Sequence, residues 1–195
     1  VIQIEEPQIH LIAVRKIQDA VINPKLMIEV FNRTVKGLRA KTEVWAHSCW
    51  GNPSQQRMFA EVQTYKPALE AYNQVDADVI TFESSSSGGI DLEAIGKIIT
   101  DKKISIGVID HHTLQVESPE QVAAQIRAAL KHIPAERLMV STDCGMGREG
   151  MSRRHAFYKT VAITLGTNIV RKELGVPEAH IPAADERYSL VVPAK

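Results

Sequence analysis

The sequence predicts an α/β protein built on a parallel sheet, and three observations carry that prediction. Five short β-type runs alternate with helical stretches along the chain. Such alternation implies right-handed crossovers, which lay successive strands parallel. At 195 residues and 44% hydrophobic, the chain can bury a sizeable core as one domain. Each β-type run also ends in an ionisable or metal-binding residue, and the C-terminal ends of parallel strands are where α/β proteins bind ligands. Five βα units fit an open doubly wound sheet or the second part of an eight-stranded barrel, which usually needs about 250 residues.

The elements read in order as follows. The first run is Val1 to Ile4, followed by Glu5-Glu6-Pro7. Asn23-Pro24 reads as an N-cap and first helical residue, launching a helix to about Arg39 with Leu26, Val30, Phe31, Val35 and Leu38 as its apolar stripe. The second run is about Thr42 to Ala46. Gly51-Asn52-Pro53 then turns the chain into a helical region from about Ser54 to Asn73, bent at Pro67. The third run, about Asp78 to Phe82, precedes the loop Ser84 to Gly89. A short helix of about Leu92 to Ile99 leads to the fourth run, Ile104 to Ile109. Ser118-Pro119 starts a helix through about His132, and the fifth run is about Leu138 to Ser141. A long helix from about Ser152 to Leu174 stops at Gly175, with Pro177 just beyond. Residues 1–175 are expected to form the folded domain and 176–195 an irregular tail.

Composition narrows the function. The 23 basic and 23 acidic residues balance and no basic stripe stands out, which argues against a nucleic-acid partner. No apolar run approaches the roughly 20 residues that span a bilayer, and no signal-peptide pattern is present. No membrane role and a cytoplasmic location are therefore expected. Two cysteines make no disulfide framework. Alone they could be buried inert thiols or one bridge; in a reducing cytosol they are free to hold metal. The chain opens without Met, directly inside a strand-like run, and is expected to be a piece of something longer.

The cysteines gain meaning from their neighbours. His47 and Cys49 are two apart on an apolar run, so a strand would put both on one face. Glu83 ends the third run and Cys144 follows the fifth, completing one nitrogen, two sulfur and one oxygen donor, a set typical of zinc. Asp110 and His112 form a second pair two residues apart, suited to an acid and its orienting partner, with His111 expected to point the other way. Glu5 and Glu6 end the first run and are candidate substrate contacts or solvated loop residues. Asp143, before Cys144, is expected to fix the turn or support the ligands from behind. Gly145-Met146-Gly147 with Gly150 has a dinucleotide-loop look, but no acidic residue ends a following strand, so a turn near the metal pocket is the better reading.

Ile2-Gln3-Ile4-Glu5-Glu6-Pro7, Ala46-His47-Ser48-Cys49, Asp78 to Glu83, Gly107 to His112 and Ser141-Thr142-Asp143-Cys144-Gly145 occur in this order in one superfamily. The chain resembles the C-terminal catalytic barrel of cobalamin-independent methionine synthase and its stand-alone relatives, including the epoxyalkane:coenzyme M transferases. The stretch from Ser141 to Arg154 looks more like the stand-alone branch. The resemblance implies the last five βα units of a TIM (β/α)8 barrel, with the first three strands absent from this chain. It implies Zn2+ held by His47, Cys49, Glu83 and Cys144, with His112 moving a proton beside Asp110. Glu5 stands where that family usually has Asp.

The activity implied is alkylation of a small-molecule thiol, most simply methyl transfer from a methyl-folate-type donor to homocysteine. Addition of coenzyme M or another thiol to an epoxide is the alternative. A structural zinc module, or an inactive fragment, is the reading from another class. Five strands leave two open edges, so the chain is expected to pair with a missing N-terminal half-barrel or with itself.

Overall fold

The computed structural model describes residues 1–14, 21–50, 64–147 and 150–188. Its centre is a five-stranded sheet of β1 (Ile2–Glu5), β2 (Val44–Ser48), β3 (Val79–Phe82), β4 (Lys103–Gly107) and β5 (Leu138–Ser141). Every neighbouring pair is parallel, and the order across the sheet is the order along the chain. A doubly wound sheet reverses its strand order at a switch point, whereas barrel strands follow one another around the ring. The unbroken order selects the barrel arrangement, with β1 and β5 at the two edges of the arc.

Six helices accompany the described strands: α1 (Pro7–Val14), α2 (Pro24–Thr34), α3 (Leu69–Gln74), α4 (Leu92–Ile98), α5 (Pro119–Leu130) and α6 (Arg153–Glu173). Their ends follow local chemistry. Asn23 Oδ1 accepts the Leu26 N–H at 3.0 Å at the head of α2. Ser118 and Gln121 close a reciprocal capping box on α5. Past α6, Gly175 adopts φ +68°, the left-handed conformation that lets Gly175 and Val176 return N–H bonds to Lys172 and Arg171.

Alternation along the strands separates two faces. Ala46, Ile80, Phe82, Ile104 and Ile106 pack with Phe31, Leu69, Tyr72, Ile95, Val122 and Ile126 into one apolar core between sheet and helices. Each fully buried large side chain contributes about 2 kcal/mol. The opposite face carries a row in strict register, Glu5, His47, Thr81, Ser105 and Met139, one from each strand. This row places chemistry on the concave side of the arc.

Several boundaries differ from the sequence reading. β2 runs to Ser48, so His47 lies inside the strand, because His47 and Ser48 continue the ladder opposite Thr81 and Phe82. α1 has no counterpart in the sequence reading. Its residues Ile9-His10-Leu11-Ile12-Ala13 have no polar stripe from which to read a period, and Ile9 and Ile12 are both buried. The region expected to be helical from Ser54 begins outside the described residues as far as 63. Beyond it, a short 3-10 turn at Lys66–Ala68 runs directly into α3. The tail is not wholly irregular: it has 3-10 turns at Pro182–Ala184 and Glu186–Tyr188, and Asn168 ties Ala179 to α6 through both of its amide atoms. No helix of the described residues is long and apolar enough to cross a membrane.

Candidate metal centre

His47 enters the concave face from β2 and is 4% exposed. Its Nδ1 is hydrogen-bonded to the Thr81 hydroxyl on β3, the residue directly opposite in the ladder. That bond leaves Nε2 as the imidazole's remaining donor atom. Nε2 has no oxygen or nitrogen hydrogen-bond partner among the described residues; the nearest carboxylate oxygen, from Glu5, is 3.6 Å away, and the imidazole interacts with the Cys144 sulfur. Cys49 follows β2 and Cys144 follows β5. His47, Cys49 and Cys144 each bring a ligand atom within 4.8 Å of the other two. Zinc bonds of 2.0–2.3 Å put tetrahedral ligand atoms roughly 3.3–3.8 Å apart, so the trio is gathered on the scale of one ion.

The electrostatics favour a cation there. The Cys144 thiol is held well below the usual range, first by its hydrogen bond with Cys49 and then by the His47 imidazole, against the opposing effect of burial. Burial pushes His47 down, but Cys144, Glu5 and Glu83 outweigh it and raise the imidazole overall. A thiolate, a buried ring nitrogen and a second sulfur make a donor set that suits zinc.

Glu83, at the end of β3, is 1% exposed and lies beside the trio rather than within it. The buried Tyr65 hydroxyl grips its main chain, donating to the Glu83 carbonyl at 3.2 Å and accepting its N–H at 3.1 Å. The Glu83 carboxylate accepts from Trp50 N–H at 3.0 Å and from the Ser86 hydroxyl at 2.7 Å. Its Oε1 is 3.7 Å from His112 Nδ1, and Glu83, His111 and His112 form a second cluster of ligand atoms within 4.8 Å.

Asp143 joins the β5 and β3 loops. Its carboxylate, fully buried, accepts the consecutive backbone N–H groups of Ser84, Ser85 and Ser86 at 2.7–2.8 Å. Burial pushes its carboxyl up to about 7, against the pull of these N–H groups. Asp143 thus sets the segment after Glu83 in relation to Cys144, the next residue along its own chain.

Asp110 and His112 are brought together as expected, and more tightly than strand geometry requires. Asp110 Oδ1 accepts the His112 N–H at 2.7 Å and stands 3.0 Å from His112 Nδ1. Burial raises the Asp110 carboxyl, but the two His112 bonds outweigh it and the net shift is downward. His111 does not point away. It is fully buried, and its ring lies 4.0 Å from that of His112, centroid to centroid. Strand alternation does not reach residues 110–112, because β4 ends at Gly107 and the chain turns there.

The acidic pair at the end of β1 divides. Glu5 is exposed at the rim and is the carboxylate next to His47. Glu6 turns toward α1, where Oε1 accepts the Ile9 N–H at 3.3 Å, and burial raises its carboxyl. Thr81, Tyr65 and Gly107 escape the sequence reading. Two of them carried a signal: Thr81 shares the strand face of Glu83 in an otherwise apolar run, and Gly107 interrupts an apolar strand, a mark of close approach. Tyr65 carried none.

Fold and site together define a parallel barrel-type α/β protein with a nitrogen–sulfur ligand cluster at its strand ends. The chain belongs to the cobalamin-independent synthase catalytic-domain family, whose model matches residues 1–163. It is 33% identical over 174 residues to a methionine synthase of Saccharolobus solfataricus, covering 89% of this chain and 45% of that protein. A methionine synthase of Thermococcus kodakarensis is 32% identical over 149 residues, 76% of this chain and 39% of that one. Among solved structures, a B12-independent methionine synthase from Shewanella sp. W3-18-1, in complex with selenomethionine, superposes with a TM-score of 0.74 at 28% identity. That match covers 89% of this chain and 49% of the other. The chain therefore spans about half the length of the relatives it matches.

Proposed function

We propose that this chain carries the metal-binding part of a zinc-dependent thiol alkyltransferase, one that transfers a methyl group from a methyl-folate-type donor to homocysteine. The observation that carries the reading is the compact trio His47, Cys49 and Cys144, whose ligand atoms lie within 4.8 Å of one another. The likeness to a methionine synthase bound to selenomethionine, a methionine analogue, supports a thiol of homocysteine's size.

His47, Cys49 and Cys144 would hold the ion, with Glu83 as the fourth and exchangeable donor. Zinc bound there supplies stabilisation of a substrate thiolate, a strong nucleophile at neutral pH. The residues of the chain do the rest. Thr81 fixes the His47 tautomer so that Nε2 faces the sulfurs. Asp110 orients the His112 ring, which supplies the proton that the leaving group needs. Glu5, acidic and accessible beside His47, contacts the substrate, and its charge suits an amino acid's ammonium group. Glu6 spends its carboxylate on α1, so its part in substrate binding is to shape the end of β1.

Zinc-loaded protein is to be incubated with homocysteine or coenzyme M, each with a methyl-folate or an epoxide, and the product identified by mass spectrometry. Methionine is the expected product, and His112→Asn should lower its rate about 100-fold or more, the usual loss for a removed acid catalyst. A hydroxyalkyl thioether as sole product would replace methyl transfer with epoxide opening. Zinc whose X-ray absorption is unmoved by added thiol would mark a structural site and contradict the proposal.

A further inference from the structure

Lys159 is a lysine in the middle of α6, yet its side chain is 0% exposed. A buried ammonium persists only where its donors are used, and here all of them are. Lys159 Nζ donates to the Asp110 carbonyl at 3.0 Å, to the Gln115 carbonyl at 2.6 Å and to the Glu117 carboxylate at 2.9 and 3.1 Å. Glu117 Oε1 in turn accepts the Asp110 N–H at 3.0 Å. Lysine and glutamate thus hold both backbone groups of Asp110, one from each side.

The segment they hold leads from β4 to α5 and carries Asp110, His111 and His112. Past the backbone bonds of Val108 to Ser141 and of Ile109 to Asp143, it has no sheet ladder or helix of its own from 110 to 118. Its carbonyls therefore need other partners, and Lys159 is one that reaches two of them. Close approach of the outer helices makes that reach possible: a Cβ on Gly166 would meet Val122 Cβ at 2.5 Å and the Pro119 carbonyl at 2.6 Å. Gly166 lets α6 settle against the start of α5, within reach of Glu117 and the loop before it.

We infer that the Lys159–Glu117 pair is a positioning device for the proton-transfer residues, holding the Asp110 backbone so that its carboxylate can orient His112. The inference rests on the proposed role of His112 but concerns residues outside the metal cluster. Lys159 touches neither substrate nor metal ligand among its hydrogen-bond partners, and it acts through Asp110. The cavity of about 390 Å³ lined by Ser85, Asp110, Gln115 and Glu117 opens beside this device, so loosening the loop would also reshape the neighbouring space.

The test compares the full zinc-loaded chain with the double variant Lys159→Met, Glu117→Met. Replacing a buried ion pair by apolar residues of similar volume is commonly tolerated, whereas removing one partner strands a charge. Backbone hydrogen exchange over residues 110–117 should quicken at least tenfold, with α5 and α6 unchanged and zinc content retained. The kcat for thiol alkylation should fall at least tenfold with KM for the thiol unchanged. Loop exchange within twofold of the parent would overturn the proposal. So would a loosened loop with kcat intact, which would mark the pair as merely structural. The exchange comparison needs no turnover, so it still decides whether the pair holds the loop if the alkylation reading fails. Should His112→Asn leave the rate unchanged, it is the reading of His112 that falls, independently of Lys159.

Discussion

The Asp143 carboxylate occupies the space that a side chain on Gly107 would fill: a Cβ built on Gly107 lies 1.9 Å from Asp143 Oδ1. Glycine at the end of β4 is therefore a condition for the three N–H bonds that Asp143 accepts from the loop after Glu83.

Gly107→Ala should consequently displace Asp143 and leave those N–H groups short of an acceptor. The expected loss is about 3 kcal/mol, combining overpacking with broken charged hydrogen bonds. Urea unfolding of the variant checks it. Stability within 0.5 kcal/mol of the parent, about the range of a neutral surface change, would show that Asp143 has another place to go.

Thr81→Val keeps the shape of β3 and removes the hydrogen bond to His47 Nδ1. The ring then loses what fixes its tautomer and orientation, and zinc affinity should fall about 10- to 100-fold, the range found for such supporting partners. Competition with a chromophoric chelator measures it. Unchanged affinity would mean that β2 alone aims the ring.

Asp78 gives a pH dependence away from the metal. Its carboxylate accepts the Val44 N–H at 2.8 Å at the start of β2 and the Arg39 guanidinium at 2.8 Å. Burial raises its carboxyl, but these two partners outweigh it and the net shift is below the ordinary value. A depressed carboxyl stabilises the fold above its unfolded value, near 4, and that contribution disappears as pH falls through the lower folded value. Asp78→Ala should therefore cost about 1–2 kcal/mol at pH 7, the cost of a buried N–H left unpaired, and less at pH 3. Thermal melts at both values decide, and a gap that does not narrow at low pH would contradict the assignment.

How much of this was legible in the sequence depends on the range of the interaction. The five strands and the caps at Asn23 and Ser118 are local patterns, and local chemistry placed them. The His47–Cys49 pair was legible for the same reason, since two residues on one strand share a face wherever the strand lies. His111 was not, because its direction is set by a turn after β4 rather than by alternation. Lys159 reads from its own helix as an ordinary solvated residue. Only the fold reveals that a loop some 45 residues earlier, at Asp110 to Glu117, folds back over it. The separation of Glu83 from the other three donors is likewise tertiary, fixed by Tyr65, Trp50 and Ser86.

Zinc content, measured together with X-ray absorption, bears most directly on the central claim. The parent should bind about one zinc per chain through two sulfurs, His47 nitrogen and one oxygen, as the ligand chemistry of such sites requires, and gain a third sulfur when homocysteine is added. Cys144→Ser should lose most of the metal. A parent that takes up no zinc, or a Cys144→Ser variant that binds it as tightly with an unchanged sulfur count, would contradict the assignment.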